Sequence, residues 1–164
     1  GAAIASVSCR KGMPPMKVSV LIVDDEKEFA DVLAERLQIK GYRAQACYSG
    51  REALERIRDD GVDVVVLDLV MPEMDGINVL NEIKKFKAQI EVVMLSGKAT
   101  RVDAIEGIER GAFEHLDKPC DDNKLVSSIE AAHERKVALE KRLKDALELI
   151  RQAAKKSCAD SECP

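Results

Sequence analysis

Val62 to Gly76 reads VDVVVLDLVMPEMDG, and the aspartate near its middle decides how the rest of the chain is read. Residues 62–69 are the most apolar stretch of strand character in the sequence, as expected of a parallel strand covered on both faces. Asp68 sits inside that stretch, where an unpaired carboxylate is costly to bury. Its place there points to chemistry rather than packing. The MPEMDG that follows is turn chemistry, and Ile77, Leu80 and Ile83 then recur at helical spacing.

The same alternation extends outward in both directions. Toward the N-terminus, Val18 to Val23 reads VSVLIV, a second buried strand stopped by an acidic cluster. Phe29, Val32, Leu33 and Leu37 then mark a helix that Gly41 closes. Residues 43–48 (RAQACY) read as a less apolar strand nearer a sheet edge, followed by an amphipathic segment to Arg58 with Ala53, Leu54 and Ile57 on one side. Toward the C-terminus come a strand at Glu91 to Leu95 (EVVML), a helix from Arg101 to Arg110 ended by Gly111, and a short strand at Phe113 to Leu116. Five strands alternating with helices predict parallel pairing through right-handed crossovers, hence a doubly wound α/β fold with a five-stranded parallel sheet. Ligands of such folds bind beyond the carboxyl ends of the strands, where the strand order reverses.

The residues at those ends form a coherent set. Asp24 and Asp25 follow the first strand, Asp68 ends the third, Ser96 the fourth, and Asp117-Lys118-Pro119 the fifth. Three carboxylates at one edge repel one another unless a cation offsets them. Their hard oxygen donors suit Mg²⁺, and the absence of His or Cys from the set disfavours zinc. A carboxylate oxygen beside such a cation is a competent nucleophile toward a phosphoryl group, forming an acyl phosphate. Lys118 supplies a fixed positive charge for the phosphoryl oxygens and Ser96 a hydroxyl. Each residue also has a plain structural role: an acidic pair before a helix serves as cap and dipole partner, Ser96 alone is loop chemistry, and Lys118 alone is a surface lysine. Their joint placement after successive strands favours the chemical reading.

The Asp24-Asp25 pair, the D-x-x-M-P-x-M-D-G run from Asp68 to Gly76, the Ser96-Gly97 step and the Lys118-Pro119 pair resemble the receiver domain of two-component response regulators. The resemblance covers residues 17–133 and implies a flavodoxin-like fold with Asp68 as phosphoacceptor. It further implies that Asp25, Asp68 and the backbone carbonyl of Val70 bind Mg²⁺ directly, that Asp24 contributes through water, and that Ser96 and Lys118 hold the phosphoryl group. The phosphodonor it implies is a sensor histidine kinase or a histidine phosphotransfer protein. Two positions depart from the family pattern. His115 stands where a Tyr or Phe ring moves inward on activation, which makes it a candidate switch. Cys120 replaces the usual Phe after the proline and reads as a small core residue.

No Gly or Pro lies between Cys120 and Cys163, so the last helix is expected to run far past the receiver. Ile129, Ala132, Lys136, Leu139, Leu143, Ala146, Ile150 and Ala153 follow a 3-4 alternation, the seam of a coiled coil, and suggest a homodimer through residues 129–153. The alternatives are a docking helix and a linker to an output domain. Its interleaved charges, Arg135 and Lys136 among them, read as a solvated face. The expected organisation is an N-terminal extension over 1–15, with Gly1 to Gly12 rich in small residues, a receiver over 16–133, a helical extension over 134–156 and a disordered tail over 157–164.

Composition narrows the function classes. A hydrophobic fraction of 46% with 34% charged residues is that of a globular chain without a bilayer-length apolar run. Aromatics at 3% offer no base-stacking platform, and a net charge of -4 disfavours nonspecific nucleic-acid binding. A groove-reading output needs a recognition helix, for which the residues after Lys156 are too few. Five cysteines without a CxxC pair fit a reducing compartment, so a cytoplasmic location is expected. Cys158 and Cys163 lack further ligands nearby for a metal. The expected function is therefore a receiver protein, without enzymatic output beyond self-phosphorylation and slow autodephosphorylation of Asp68, that switches dimerisation or partner docking. The competing readings are the receiver of a larger regulator whose output domain is missing, and a Mg²⁺-dependent aspartyl-nucleophile phosphatase. The latter resembles D-x-D-x, and Asp68-Leu69-Val70 lacks the second acid.

Overall fold

A computed structural model describes residues 17–59 and 61–161. The expected extension over 1–15, Cys9 and Cys163 lie outside the described residues. The elements alternate as β1 (Ser19–Val23), α1 (Lys27–Ile39), β2 (Arg43–Cys47), α2 (Gly50–Arg58), β3 (Val64–Leu67), α3 (Gly76–Phe86), β4 (Glu91–Ser96), α4 (Arg101–Glu109), β5 (Glu114–Asp117) and α5 (Asp122–Ser161). The strands form a five-stranded sheet of order β2-β1-β3-β4-β5 in which every pairing is parallel. The order reverses between β1 and β3, which makes their carboxyl ends the switch point of the sheet. The fold is the doubly wound one that the alternation predicts, with β2 at an edge.

Alternate residues of each strand face opposite sides, and each side has its own helices. Val20, Ile22, Val64, Val66, Val93 and Leu95 pack with Ala30, Leu33 and Leu37 of α1 and with Leu125, Ile129 and Ala132 of α5. Leu21, Val23, Val65, Leu67, Val92 and Met94 pack with Ala53 and Ile57 of α2 and Val79, Leu80 and Ile83 of α3. Each fully buried aliphatic side chain contributes about 1.5–3 kcal/mol. α4 is covered least: Gly107 is its buried residue, while Val102, Ile105 and Ile108 are exposed.

Local chemistry sets where helices start and stop. Ser49 caps α2 by accepting from Glu52 N, and Asp75 caps α3 by accepting from Ile77 N. Thr100 and Asp103 form a capping box at α4. Gly41 and Gly111 follow α1 and α4 with φ of 101° and 107°, the left-handed turn that ends a helix without a Cβ penalty.

Several boundaries differ from the sequence reading. β3 spans Val64–Leu67 rather than 62–69, and β5 spans Glu114–Asp117 rather than 113–116. Val32 is exposed, because the buried stripe of α1 is Ala30, Leu33, Ala34 and Leu37 and Val32 stands on its flank. α5 passes residue 133 without a break and reaches Ser161, so residues 157–161 are helical rather than a disordered tail; residues 162–164 lie outside the described residues. The expected seam is shortened at its upper end, since Ile129 and Ala132 are buried in the chain's own core and Lys136 pairs with Asp63. Among the described residues, no helix is long and apolar enough to cross a membrane.

Candidate functional site

Strand register brings the acidic residues together. Val23 of β1 pairs with Leu67 of β3, so Asp24 and Asp68, each one residue further on, emerge side by side. Asp68 N donates to Val23 O and Asp24 N to Cys47 O, which fixes both backbones at the sheet edge. Asp24 and Asp68 are buried, at 2% and 6% exposure. Asp25 completes the group: one ligand oxygen from each of Asp24, Asp25 and Asp68 lies within 4.8 Å of the others.

β4 and β5 supply the opposite wall. Ser96 pairs with Asp117, and Lys118 N donates to Ser96 O at 3.2 Å, which carries Lys118 over the acidic group. Its Nζ lies 2.6 Å from Asp24 Oδ2 and 3.7 Å from both Asp68 Oδ2 and Glu26 Oε1. The same ammonium stands 4.2 Å from the centroid of the Phe29 ring. Ser96 is buried, and its Oγ accepts from Lys98 N. Val70 N donates to Asp68 Oδ1, fixing the turn that follows the acid. Gly76 N donates to Leu69 O, and a Cβ on Gly76 would lie 2.5 Å from Asp68 O, so only glycine allows α3 to start so close to the acid.

Electrostatics follow from these contacts. Burial raises the pKa of Asp24 above its ordinary carboxylate value; the Lys118 hydrogen bond, the Glu26 N–H and the lysine charge offset only part of that, and the Asp68 charge adds to it. Burial alone would lower the pKa of Lys118, but its hydrogen bond to Asp24 and the charges of Asp24, Asp68 and Glu26 outweigh it and leave the pKa raised. The lysine therefore keeps its charge beside Asp24 and Asp68.

A cleft of about 280 Å³ opens over this group, lined by Asp25, Glu26, Asp68, Val70, Ser96, Gly97, Lys98 and Lys118. Beside it the acidic group of Asp24, Asp25 and Asp68 offers three carboxylates, of which Asp24 and Asp68 are buried. That set fits a hard divalent cation such as Mg²⁺ and offers no soft ligand. The sequence-predicted residues Asp24, Asp25, Asp68, Val70, Ser96 and Lys118 thus converge. His115 does not line the cleft. Its side chain is 16% exposed, with Nδ1 3.9 Å from Asp117 Oδ1 and Nε2 buried without a hydrogen-bond partner. Sequence reasoning missed Glu26, Lys98 and Phe29. Glu26 was visible as the third acid of its cluster; Phe29 carried no signal beyond its place on an apolar stripe.

A parallel sheet of this order with an acidic group and a lysine at its switch point defines a flavodoxin-like receiver architecture. The profile of the response regulator receiver domain family matches residues 20–130, and the chain belongs to that family. Among solved structures it is similar to a response regulator receiver domain protein from Clostridium thermocellum, at 32% identity and a TM-score of 0.71 over 74% of this chain and 98% of that one. It is equally similar to NtrX from Brucella abortus, at 32% identity and a TM-score of 0.72, covering 80% of this chain but 30% of that one. The beryllofluoride-activated NtrC4 receiver domain dimer matches at 32% identity and a TM-score of 0.68, over 72% of this chain and 98% of that one.

Proposed function

We propose that this receiver accepts a phosphoryl group on Asp68 from a phosphohistidine of a sensor histidine kinase or histidine phosphotransfer protein. The observation that carries the reading is the Asp68 carboxylate in an open cleft, 3.7 Å from Lys118 Nζ and grouped with two further carboxylates. An Asp68 carboxylate oxygen attacks phosphorus, the P–N bond breaks, and the imidazole leaves with the electron pair. A mixed anhydride remains on Asp68. Lys118 places its charge on one phosphoryl oxygen, and the Ser96 hydroxyl hydrogen-bonds another. Asp25, Asp68 and the Val70 carbonyl would hold Mg²⁺, with Asp24 contributing through water; when bound, the cation neutralises charge on the transferring group.

The phosphoryl group then draws Ser96 toward the cleft, and the His115 ring, already largely inward, responds to the space this changes. The output is assembly through the protruding part of α5, in which residues 139–153 continue the coiled-coil spacing beyond the core. The NtrC4 match, a dimer of a beryllofluoride-activated receiver, supports an assembly output. A second reading, in which the same receiver regulates a longer chain, draws on the NtrX match, whose aligned part is 30% of that protein.

Acetyl phosphate with Mg²⁺ is expected to add one phosphoryl group, seen by intact mass, and chelation or Asp68→Asn is expected to abolish it. Uptake by the Asp68→Asn protein would overturn the assignment.

A further inference from the structure

The chain has 3 phenylalanines, and one of them lies directly beneath the site lysine. Lys118 Nζ is 4.2 Å from the Phe29 ring centroid, the shortest cation-to-ring approach among the described residues; the others run from 5.5 to 6.0 Å. Phe29 projects from α1, one turn after Asp25, and packs against the core face shared by α1 and α5. It also lines a cavity of about 330 Å³ between α1 and the β5–α5 junction, together with Pro119 and Cys120.

We infer that Phe29 is a positioning residue for phosphoryl uptake, acting through Lys118. The inference rests on the receiver reading above. The ammonium has three N–H groups and carboxylate oxygens of Asp24, Asp68 and Glu26 at 2.6 and 3.7 Å. Asp24 already holds the ammonium at 2.6 Å, and with carboxylates as its only neighbours the rest of its charge would be drawn to Asp68 and Glu26 as well. An aromatic face attracts the cation through its quadrupole without accepting a full hydrogen bond and without neutralising it. Of its three N–H groups one is taken by the hydrogen bond to Asp24 and the ring claims none in a full hydrogen bond, which leaves the ammonium able to meet a phosphoryl oxygen. Leucine at this position would fill the volume but supply no such field.

The test uses the full chain with saturating Mg²⁺ and acetyl phosphate, and compares Phe29→Leu with Phe29→Tyr. The adjoining cavity leaves room for a phenol oxygen. Phe29→Leu is expected to slow uptake about threefold to tenfold, and Phe29→Tyr to stay within about twofold of the parent. In parallel, the Lys118 ε-methylene protons are followed by NMR. They are expected to carry a ring-current shift in the parent and the tyrosine variant, and to lose it in the leucine variant. A parental rate in Phe29→Leu, equal slowing in both variants, or an unshifted Lys118 signal in the parent would overturn the inference. Failure of the parent to take up phosphoryl would overturn the receiver reading instead, while the Lys118 signal would still decide whether the ring holds the ammonium.

Discussion

The two parts of α5 carry one sequence pattern in two environments. Leu125, Ile129 and Ala132 are buried against the sheet, whereas Leu143 and Ile150, which continue the same spacing, are 50% and 65% exposed. Periodicity specifies which face of a helix is apolar; topology decides what covers it. The change of environment falls at Arg135 and Lys136. Arg135 Nε lies 3.3 Å from Oε2 of the buried Glu91, whose Oε1 is 3.4 Å from Lys84 Nζ. Lys136 Nζ lies 2.9 Å from Asp63 Oδ1 and from Glu140 Oε1. These ion pairs close the amino-terminal edge of the sheet, the end away from Asp68, and fix the direction in which the bare part of α5 leaves the receiver.

Substitutions on either side of that junction separate the two environments. Ile129→Ala is expected to lower the unfolding free energy by about 2–5 kcal/mol, whereas Ile150→Ala changes it by no more than about 0.5 kcal/mol; urea titration at low protein concentration measures both. At the junction, Lys136→Met is expected to destabilise by about 1–2 kcal/mol, between the limits for exposed and buried ion pairs. For Lys136, burial alone would lower the pKa, but the Glu140 and Asp63 hydrogen bonds outweigh it and leave the pKa above the ordinary 10.5. The folded state then binds the proton more tightly. Its stabilisation is complete below the unfolded value and is lost as pH rises through the folded one, so parent and variant should converge in strongly alkaline solution. The smallest effect on stability belongs to Leu143→Asp combined with Ile150→Asp, within about 0.5 kcal/mol for the receiver itself. The same pair should abolish any mass increase that beryllofluoride induces in sedimentation velocity. Dimerisation that survives it would move the interface to another face.

The fold was legible because buried parallel strands are written as apolar runs that few other elements tolerate, and β1, β3 and β4 are such runs. The acidic group was legible for a related reason: Asp24, Asp25, Asp68, Ser96 and Lys118 each stand next to a strand end, so the sheet brings them together whatever the loops do. Strand limits were less so, since hydrogen bonding rather than residue type sets them, and the apolar Val62 and Leu69 lie outside β3. Contacts between distant segments left no local mark. Arg135 and Lys136 looked like part of a solvated face, because nothing near them in sequence announces Glu91 or Asp63. Glu91 itself read as the first residue of a strand. Phe29 fitted an apolar helix stripe, and only the fold's placement of Lys118, just after β5, brings that lysine onto its ring.

Gly76 ties heredity to chemistry in an unexpected place. A side chain there would press on the carbonyl of Asp68 and the Cα of Leu69, each 2.5 Å from where its first carbon must lie. A lineage can vary the mouth of the cleft at Lys98 or Val70 one codon at a time, and each step can be tried separately. A codon change at 76 displaces Asp68 and the start of α3 together, so a position that contributes no functional group limits how the loop after Asp68 can evolve.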